Sequence, residues 1–184
     1  MLNAQSEDKE LIALFRVEKT RNTAFSFILQ KYQKKVYWHV RRIVIDHDDA
    51  DDVVQNTFIK VWENLNSFRE DSKLYTWLFR VATNEALLFL NKKRAKLNIP
   101  LDDMDFDLLE TLQTGSYFNG NAAEMKLQEA ILSLPEKQRL VFNMKYYDYL
   151  KYDEIEEITG TSVGALKASY HHAVKKIEEY LKKH

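Results

Sequence analysis

The sequence predicts an all-α protein of two small helical domains joined by a flexible acidic linker, the second domain a helix-turn-helix. Three observations predict it. Apolar residues recur three and four positions apart through long runs, which places them on one side of a helix. Only four glycines and two prolines occur among 184 residues, so few breakers interrupt those runs. Composition changes once, at residues 97–122, where LNIPLDDMDFDLLETLQTGSYFNGNA is acidic and lacks a sustained period. The expected division is therefore a domain over 1–96, a linker over 97–122 and a domain over 123–184.

The first helical run covers about Lys9 to Val17, with Leu11, Ile12, Leu14 and Phe15 apolar. A second, about Thr23 to Ile45, repeats Phe25, Ile28, Leu29, Tyr32, Val36 and Val40 at helical spacing. Its later half carries Lys31, Lys34, Lys35, Arg41 and Arg42 without an acid. The third, about Asp48 to Leu65, has Ala50, Val53, Val54, Phe58, Val61, Trp62 and Leu65 as its buried stripe. The fourth covers about Leu74 to Lys96. Beyond the linker, SLPEKQRLVF (133–142) opens a helix: Ser133 and Glu136 have capping-box spacing and Pro135 sits in the first turn. Then 152–181 reads helix, short turn, longer helix. Gly160 supplies the positive φ that such a turn needs, and Ser162 caps the second helix.

Bulk properties narrow the function. The formal net charge is −1, so nucleic-acid binding has to come from local basic patches. Cysteine is absent, which excludes disulfides and thiolate metal sites and fits a reducing compartment. The N-terminal MLNAQSEDKE lacks a signal-peptide pattern. No apolar run reaches the roughly 20 residues of a membrane span. The expectation is a cytoplasmic protein with no membrane association. No nucleophile–base pair or phosphate-binding glycine loop appears, so no enzyme, catalytic residue, cofactor or metal is expected.

Three constellations carry chemistry, each with a structural alternative. Asp46, Asp48, Asp49, Asp51 and Asp52 crowd a helix start. They read as macrodipole complements, as an acidic face for a basic partner, or, through His47 and Asp48, as part of a metal site that would need further ligands. Phe68, Arg69, Lys73, Tyr75, Trp77, Phe79 and Arg80 interleave rings with cations. Rings stack on unpaired bases while cations hold phosphates, although aromatics at helical spacing also make cores. Asn84, Asn91, Lys92, Lys93, Arg94 and Lys96 continue the basic helix. The C-terminal helix pair would send its second helix into a major groove, or else form a protein-docking hairpin. His171 and His172 stand about 100° apart on a helix and chelate poorly.

In this order and spacing the motifs resemble the extracytoplasmic-function (ECF) class of bacterial RNA polymerase sigma factors, of the sigma-70 superfamily. DADDVVQNTFIKVW (49–62) looks like that family's core-polymerase-binding segment, FREDSKLYTWLFRVATN (68–84) like its promoter-melting segment, and EALLFLNKKRAK (85–96) like the segment that reads the minus-ten element. SLPEKQRLVF and YDEIEEITGTSVGALKASYHHAVKKI look like its fourth conserved region, which reads the minus-thirty-five element. The resemblance implies a factor that directs promoter-specific initiation. Its partners would be core RNA polymerase, through the beta-prime clamp and beta flap, promoter DNA, and an anti-sigma factor.

By the same resemblance, polymerase would meet Asp51, Asp52, Gln55, Asn56, Phe58, Ile59, Trp62 and Glu63. Minus-ten DNA would meet Phe68, Arg69, Lys73, Trp77, Arg80, Asn84, Asn91, Lys92, Lys93 and Arg94, with Phe68 and its loop holding an unstacked base. Minus-thirty-five DNA would meet Ser162, Val163, Ala165, Lys167, Ser169, Tyr170, His171 and Lys175. Two departures stand out. Glu156 occupies a position where the family commonly has a small alanine, so either packing or helix tilt has to differ there. Ser169, His172 and Val174 occupy positions often basic in the family. The rival readings are a helix-turn-helix regulator that acts without polymerase and a metal-dependent phosphohydrolase using His47 and Asp48.

Overall fold

The computed structural model describes residues 7–97 and 122–183, and among them every regular element is helical. The N-terminal unit holds α1 (Asp8–Phe15), α2 (Arg21–Val44), α3 (His47–Asn64) and α4 (Leu74–Leu97), with one 3-10 turn at Leu65–Ser67. The C-terminal unit holds α5 (Ala122–Leu132), α6 (Glu136–Tyr146), α7 (Tyr152–Thr159) and α8 (Val163–Lys183). All but the two ends of the acidic linker expected at 97–122 lies outside the described residues.

Helix ends follow from local hydrogen bonding. α1 stops at Phe15, two residues before the expected end, because side chains from the next turn take its last carbonyls. Thr20 Oγ1 donates to Leu14 O at 2.7 Å and Arg21 Nε to Phe15 O at 3.1 Å. The α2–α3 corner has Ile45 at φ 68°, and Asp46 then caps α3 by accepting from Asp49 N at 3.0 Å. The capping box expected at Ser133 and Glu136 does not form. Ser133 Oγ donates back to Ala130 O at 2.7 Å, and Pro135 itself precedes the first turn of α6. The preceding turn is held instead by Arg139, whose buried guanidinium donates to Leu132 O at 3.0 Å.

α2 packs on α1, α3, α4 and, across the chain, α6. Leu11, Ile12 and Phe15 of α1, Ile28, Val36 and Val40 of α2, Val53 and Val61 of α3, and Leu78, Phe79, Ala82 and Ala86 of α4 fill the core. Phe15 meets Phe25 at 5.9 Å and the edge of Trp62 at 5.2 Å. Asp8 fixes α1 on α2 by accepting from Tyr32 Oη at 2.7 Å and Lys31 Nζ at 2.8 Å. Burial, and then the Asp8 carboxylate, push the Tyr32 phenol far above its ordinary range, so it stays a donor. The expected stripe of α3 needs one change. Thr57 is buried, its hydroxyl returned to Val53 O at 2.7 Å, while Trp62 stays 36% exposed at the edge.

The C-terminal unit divides its apolar residues. Ala130, Ile131, Leu134, Phe142, Ala173 and Ile177 form a cluster of its own. Val141, Met144, Leu150, Ile155, Ile158 and Leu166 join the core of the N-terminal unit. α7 thereby lies against α4. Truncating Phe15, a buried ring that bridges α1 to the Trp62 edge, is expected to cost about 3–5 kcal/mol. Urea denaturation of Phe15→Ala checks this, and a loss below about 1 kcal/mol would show that α1 contributes little to the core.

Candidate functional site

Three surfaces carry the residues singled out in the sequence. The first lies along α2 and α3. Counting 100° per residue from the buried line Ala50, Val53, Thr57 and Val61, the residues Asp51, Asp52, Gln55, Ile59 and Trp62 fall on the opposite side. They line an open groove of about 660 Å³ with Phe25, Leu29, Gln33, Val54 and Phe58. The floor is apolar, Ile59 is 50% exposed, and the rim is acidic. That combination suits a partner that offers apolar anchors ringed by cations. Phe58 is buried and serves as floor, while Asn56 and Glu63 are exposed but lie outside the groove lining. His47, the metal candidate, meets the Tyr37 hydroxyl at 2.8 Å and lies 3.7 Å from Asp51.

The second surface is α4. Its buried side carries Leu74, Leu78, Ala82, Ala86 and Leu90. Lys73, Trp77, Arg80, Asn84, Leu88 and Asn91 recur three and four apart and therefore share the side turned away from that core. The cations and amides among them are exposed, as are Arg69 and Lys92. At the start of α4, Ser67, Phe68, Arg69, Asp71, Ser72, Trp77 and Arg80 line a polar pocket of about 490 Å³, with Glu157 of α7 closing its wall.

Two expectations for this surface change. Phe68 is not an open stacking platform. Its ring is 6% exposed and packs 5.1 Å from Trp77, while its carbonyl accepts from Arg16 Nη2 at 2.7 Å. It is a wall of the pocket, because the loop turns inward at Glu70, φ 61°, which is itself tied to Arg16 at 2.8 Å. Lys93 lies toward the core side of α4 and pairs with Asp49 at 2.8 Å, so it fastens α4 to the start of α3 instead of facing outward.

The third surface is the helix-turn-helix of α7 and α8. Gly160 ends α7 at φ 69°, the left-handed conformation expected of it. Ser162 Oγ accepts from Ala165 N at 3.4 Å. Glu156, the departure noted in the sequence, stays exposed and sends its carboxylate to Val163 N at 3.1 Å. It therefore caps α8, where a negative charge also complements the helix dipole. Ser162, Ala165, Lys167, His171 and Lys175 are exposed. Tyr170 is not: it stacks on Phe142 at 5.8 Å and 14°, beside buried Leu166, so it belongs to the packing side of α8. Val163 and Ser169 are half-buried on the flank.

Sequence reasoning missed the residues that join the two units. Asp148, in the turn after α6, accepts from His39 Nδ1 at 2.7 Å and Arg42 Nη1 at 2.9 Å. His39 Nε2 meets the Thr83 hydroxyl at 2.8 Å, and Arg42 also covers the Tyr147 ring at 4.4 Å. Lys73 pairs with Glu154 at 2.8 Å and Arg94 with Glu136 at 3.5 Å. Burial raises the Glu154 carboxyl, but Lys73 and the Lys151 N–H outweigh it, and its pKa lies below the ordinary value. The hydrogen bond to Glu154 raises Lys73 in turn. No signal marks these pairs in the chain, since their partners lie far apart in sequence.

Comparisons with known proteins agree with this layout. Residues 28–96 match the family description Sigma-70 region 2, and residues 124–177 match Sigma-70, region 4. The chain is 33% identical over 187 residues to the ECF RNA polymerase sigma-E factor of Escherichia coli (strain K12), covering 96% of this chain and 95% of that protein. The sigma-E factor of Salmonella typhi gives the same identity and coverage. The RNA polymerase sigma-H factor of Pseudomonas aeruginosa is 28% identical over 185 residues, again covering 96% and 95%. Two solved structures share the fold. The sigma factor RpoE in complex with the anti-sigma factor NepR from Bartonella quintana has TM-score 0.68 and 21% identity, covering 86% of this chain and 96% of that one. CnrH in complex with the cytosolic domain of CnrY has TM-score 0.70 and 21% identity, covering 96% and 97%.

The cap supplied by Glu156 gives a direct check on the C-terminal geometry. Glu156→Ala leaves Val163 N–H without this acceptor and is expected to cost about 1 kcal/mol. Amide exchange at Val163 and the neighbouring first turn of α8 should rise with it, while α5 stays protected.

Proposed function

The chain belongs to the ECF sigma factors of the sigma-70 family, and we propose that its three surfaces divide the work of promoter-specific initiation among core polymerase, minus-ten DNA and minus-thirty-five DNA. What carries the reading is that the likeness to sigma factors runs end to end, over both helical units. As a sigma factor it binds core RNA polymerase and directs transcription initiation at promoters. The rival readings, a regulator acting without polymerase and a phosphohydrolase at His47, have no such relative behind them. Among the described residues no helix is long and apolar enough to cross a membrane, and the working place proposed for the protein is the cytoplasm. It acts there as a non-enzymatic initiation factor.

The groove on α3 is proposed to receive the beta-prime clamp. Ile59, Trp62 and the Phe58 floor give apolar contact, and Asp51, Asp52 and Gln55 give charge and hydrogen bonds. The pocket at the start of α4 is proposed to take a minus-ten base out of the stack. Trp77 and Arg80 face that base and the adjoining phosphate, and Phe68 holds the back wall. Asn84, Asn91 and Lys92 continue the path along the same helix. In the second unit, Ser162, Ala165, Lys167, His171 and Lys175 are proposed to enter the major groove over the minus-thirty-five element, near the beta flap. The few cations on α8 support weak DNA binding by this unit alone. An anti-sigma factor is the proposed regulator, since both solved relatives named above were captured with a protein partner.

Purification with core polymerase, followed by sequencing of transcripts from genomic DNA, tests the function directly. Asp52→Lys combined with Gln55→Ala is expected to weaken core binding at least about tenfold with an unchanged circular-dichroism spectrum. Normal core binding by that variant would move the interface elsewhere. Trp77→Ala is expected to weaken open-complex formation by about 1–3 kcal/mol while leaving initial duplex binding nearly intact. Permanganate footprinting against filter binding separates the two steps, and equal losses in both would remove the melting role.

A further inference from the structure

We propose that the C-terminal unit is a built-in inhibitor, its acids covering the DNA-facing side of α4 and the Asp148 clasp holding it there. The inference rests on the sigma-factor reading of α4. Three observations converge on it. Glu154 pairs with Lys73, Glu136 with Arg94, and Glu157 forms a wall of the pocket that Arg80 and Trp77 share. Carboxylates thus stand where the phosphates of a bound strand would stand, next to cations spaced along one side of α4. A strand and α7 compete for the same charges.

The clasp is the second observation. The Asp148 side chain is 5% exposed and that of His39 1% exposed, yet they sit on different units, and both Asp148 oxygens are engaged by α2. The turn carrying Asp148 is fixed in advance. Asp148 N donates to Asn143 O at 3.2 Å, Leu150 N to Met144 O at 3.1 Å, and Lys145 Nζ to Leu150 O at 3.1 Å. A carboxylate held this way recognises a histidine–arginine pair by position as well as charge.

The third observation is that the junction is incompletely satisfied. Asn143 Oδ1 is buried without a hydrogen-bond partner, although its amide reaches Arg42 O at 3.4 Å. An orphaned acceptor and desolvated charges at a seam favour separation once water can return. Separation is also required, because the two promoter elements lie about two turns of duplex, roughly 68 Å, apart. A 26-residue linker spans at most about 85 Å, enough for the open state.

The test uses the full-length protein, wild type and Asp148→Asn, with Glu10→Gln on α1 as a charge-matched control. Small-angle X-ray scattering reports compaction, and fluorescence anisotropy reports binding of a labelled random single-stranded oligonucleotide. Asp148→Asn is expected to expand the free protein and tighten oligonucleotide binding about tenfold, with Glu10→Gln unchanged in both. Should Asp148→Asn misfold, Glu154→Gln with Glu157→Gln is expected to give the same pair of changes. A wild-type protein already extended in solution overturns the proposal, and so does an expanded variant with unchanged DNA affinity. Core-polymerase binding by the wild type is measured alongside. Its absence removes the sigma reading, whereas its presence with no gain from either variant removes only the inhibitor.

Discussion

The two-sided character of α4 is the constraint on which the rest of the structure depends. One side carries Leu74, Leu78, Ala82, Ala86 and Leu90 into the core, and the other carries Lys73, Trp77, Arg80, Asn84 and Asn91. The two rows stand on opposite sides of one helix, so the direction of the polar row is fixed by burial of the apolar one. Ala82 and Ala86 are fully buried and small, which lets α4 come close to its neighbours without displacing larger side chains. Lys93 to Asp49 and Lys60 to Glu85 then hold α4 to α3 from both ends. A nucleic-acid surface built this way is as rigid as the core beneath it, which reduces the ordering entropy lost when a strand binds.

Much of this was legible in the sequence because helical periodicity is local. All the long helices fall where apolar spacing places them, and the turn at Gly160 has the backbone its residue predicts. The opposite faces of α3 and α4 could be read by counting 100° per residue from a buried position. That same count would have removed Tyr170 from the DNA surface, since it follows Leu166 by four, and would have turned Lys93 inward. Other features were not legible. Ser133 has a capping-box spacing with Glu136, yet the chain closes the preceding helix with it, because Arg139 already holds that turn. Glu156 looked misplaced for packing and proves to be a cap, since its neighbour in space is the first turn of α8 and not the body of α7.

The joint between the two units shows why long-range polar contacts escape sequence reading. Asp148 sits in YYDYL with no motif around it, 109 positions from His39. Its role depends on α2 presenting His39 and Arg42 on neighbouring positions of the same side, with Thr83 behind the imidazole. The physical choice is between an apolar joint and a charged one. An apolar joint alone would bind the units more firmly, because desolvating ions offsets much of their attraction. A charged clasp instead makes the contact selective, since displacement by a few residues leaves a buried carboxylate without its cations. This chain combines both: Ile155, Ile158 and Leu166 give the contact its area, and Asp148 gives it a register. Cations that face α7 in one state and a polyanion in another need not be left bare in either. A surface that stays paired in both states can hold enough charge to engage DNA while the protein as a whole stays close to neutral.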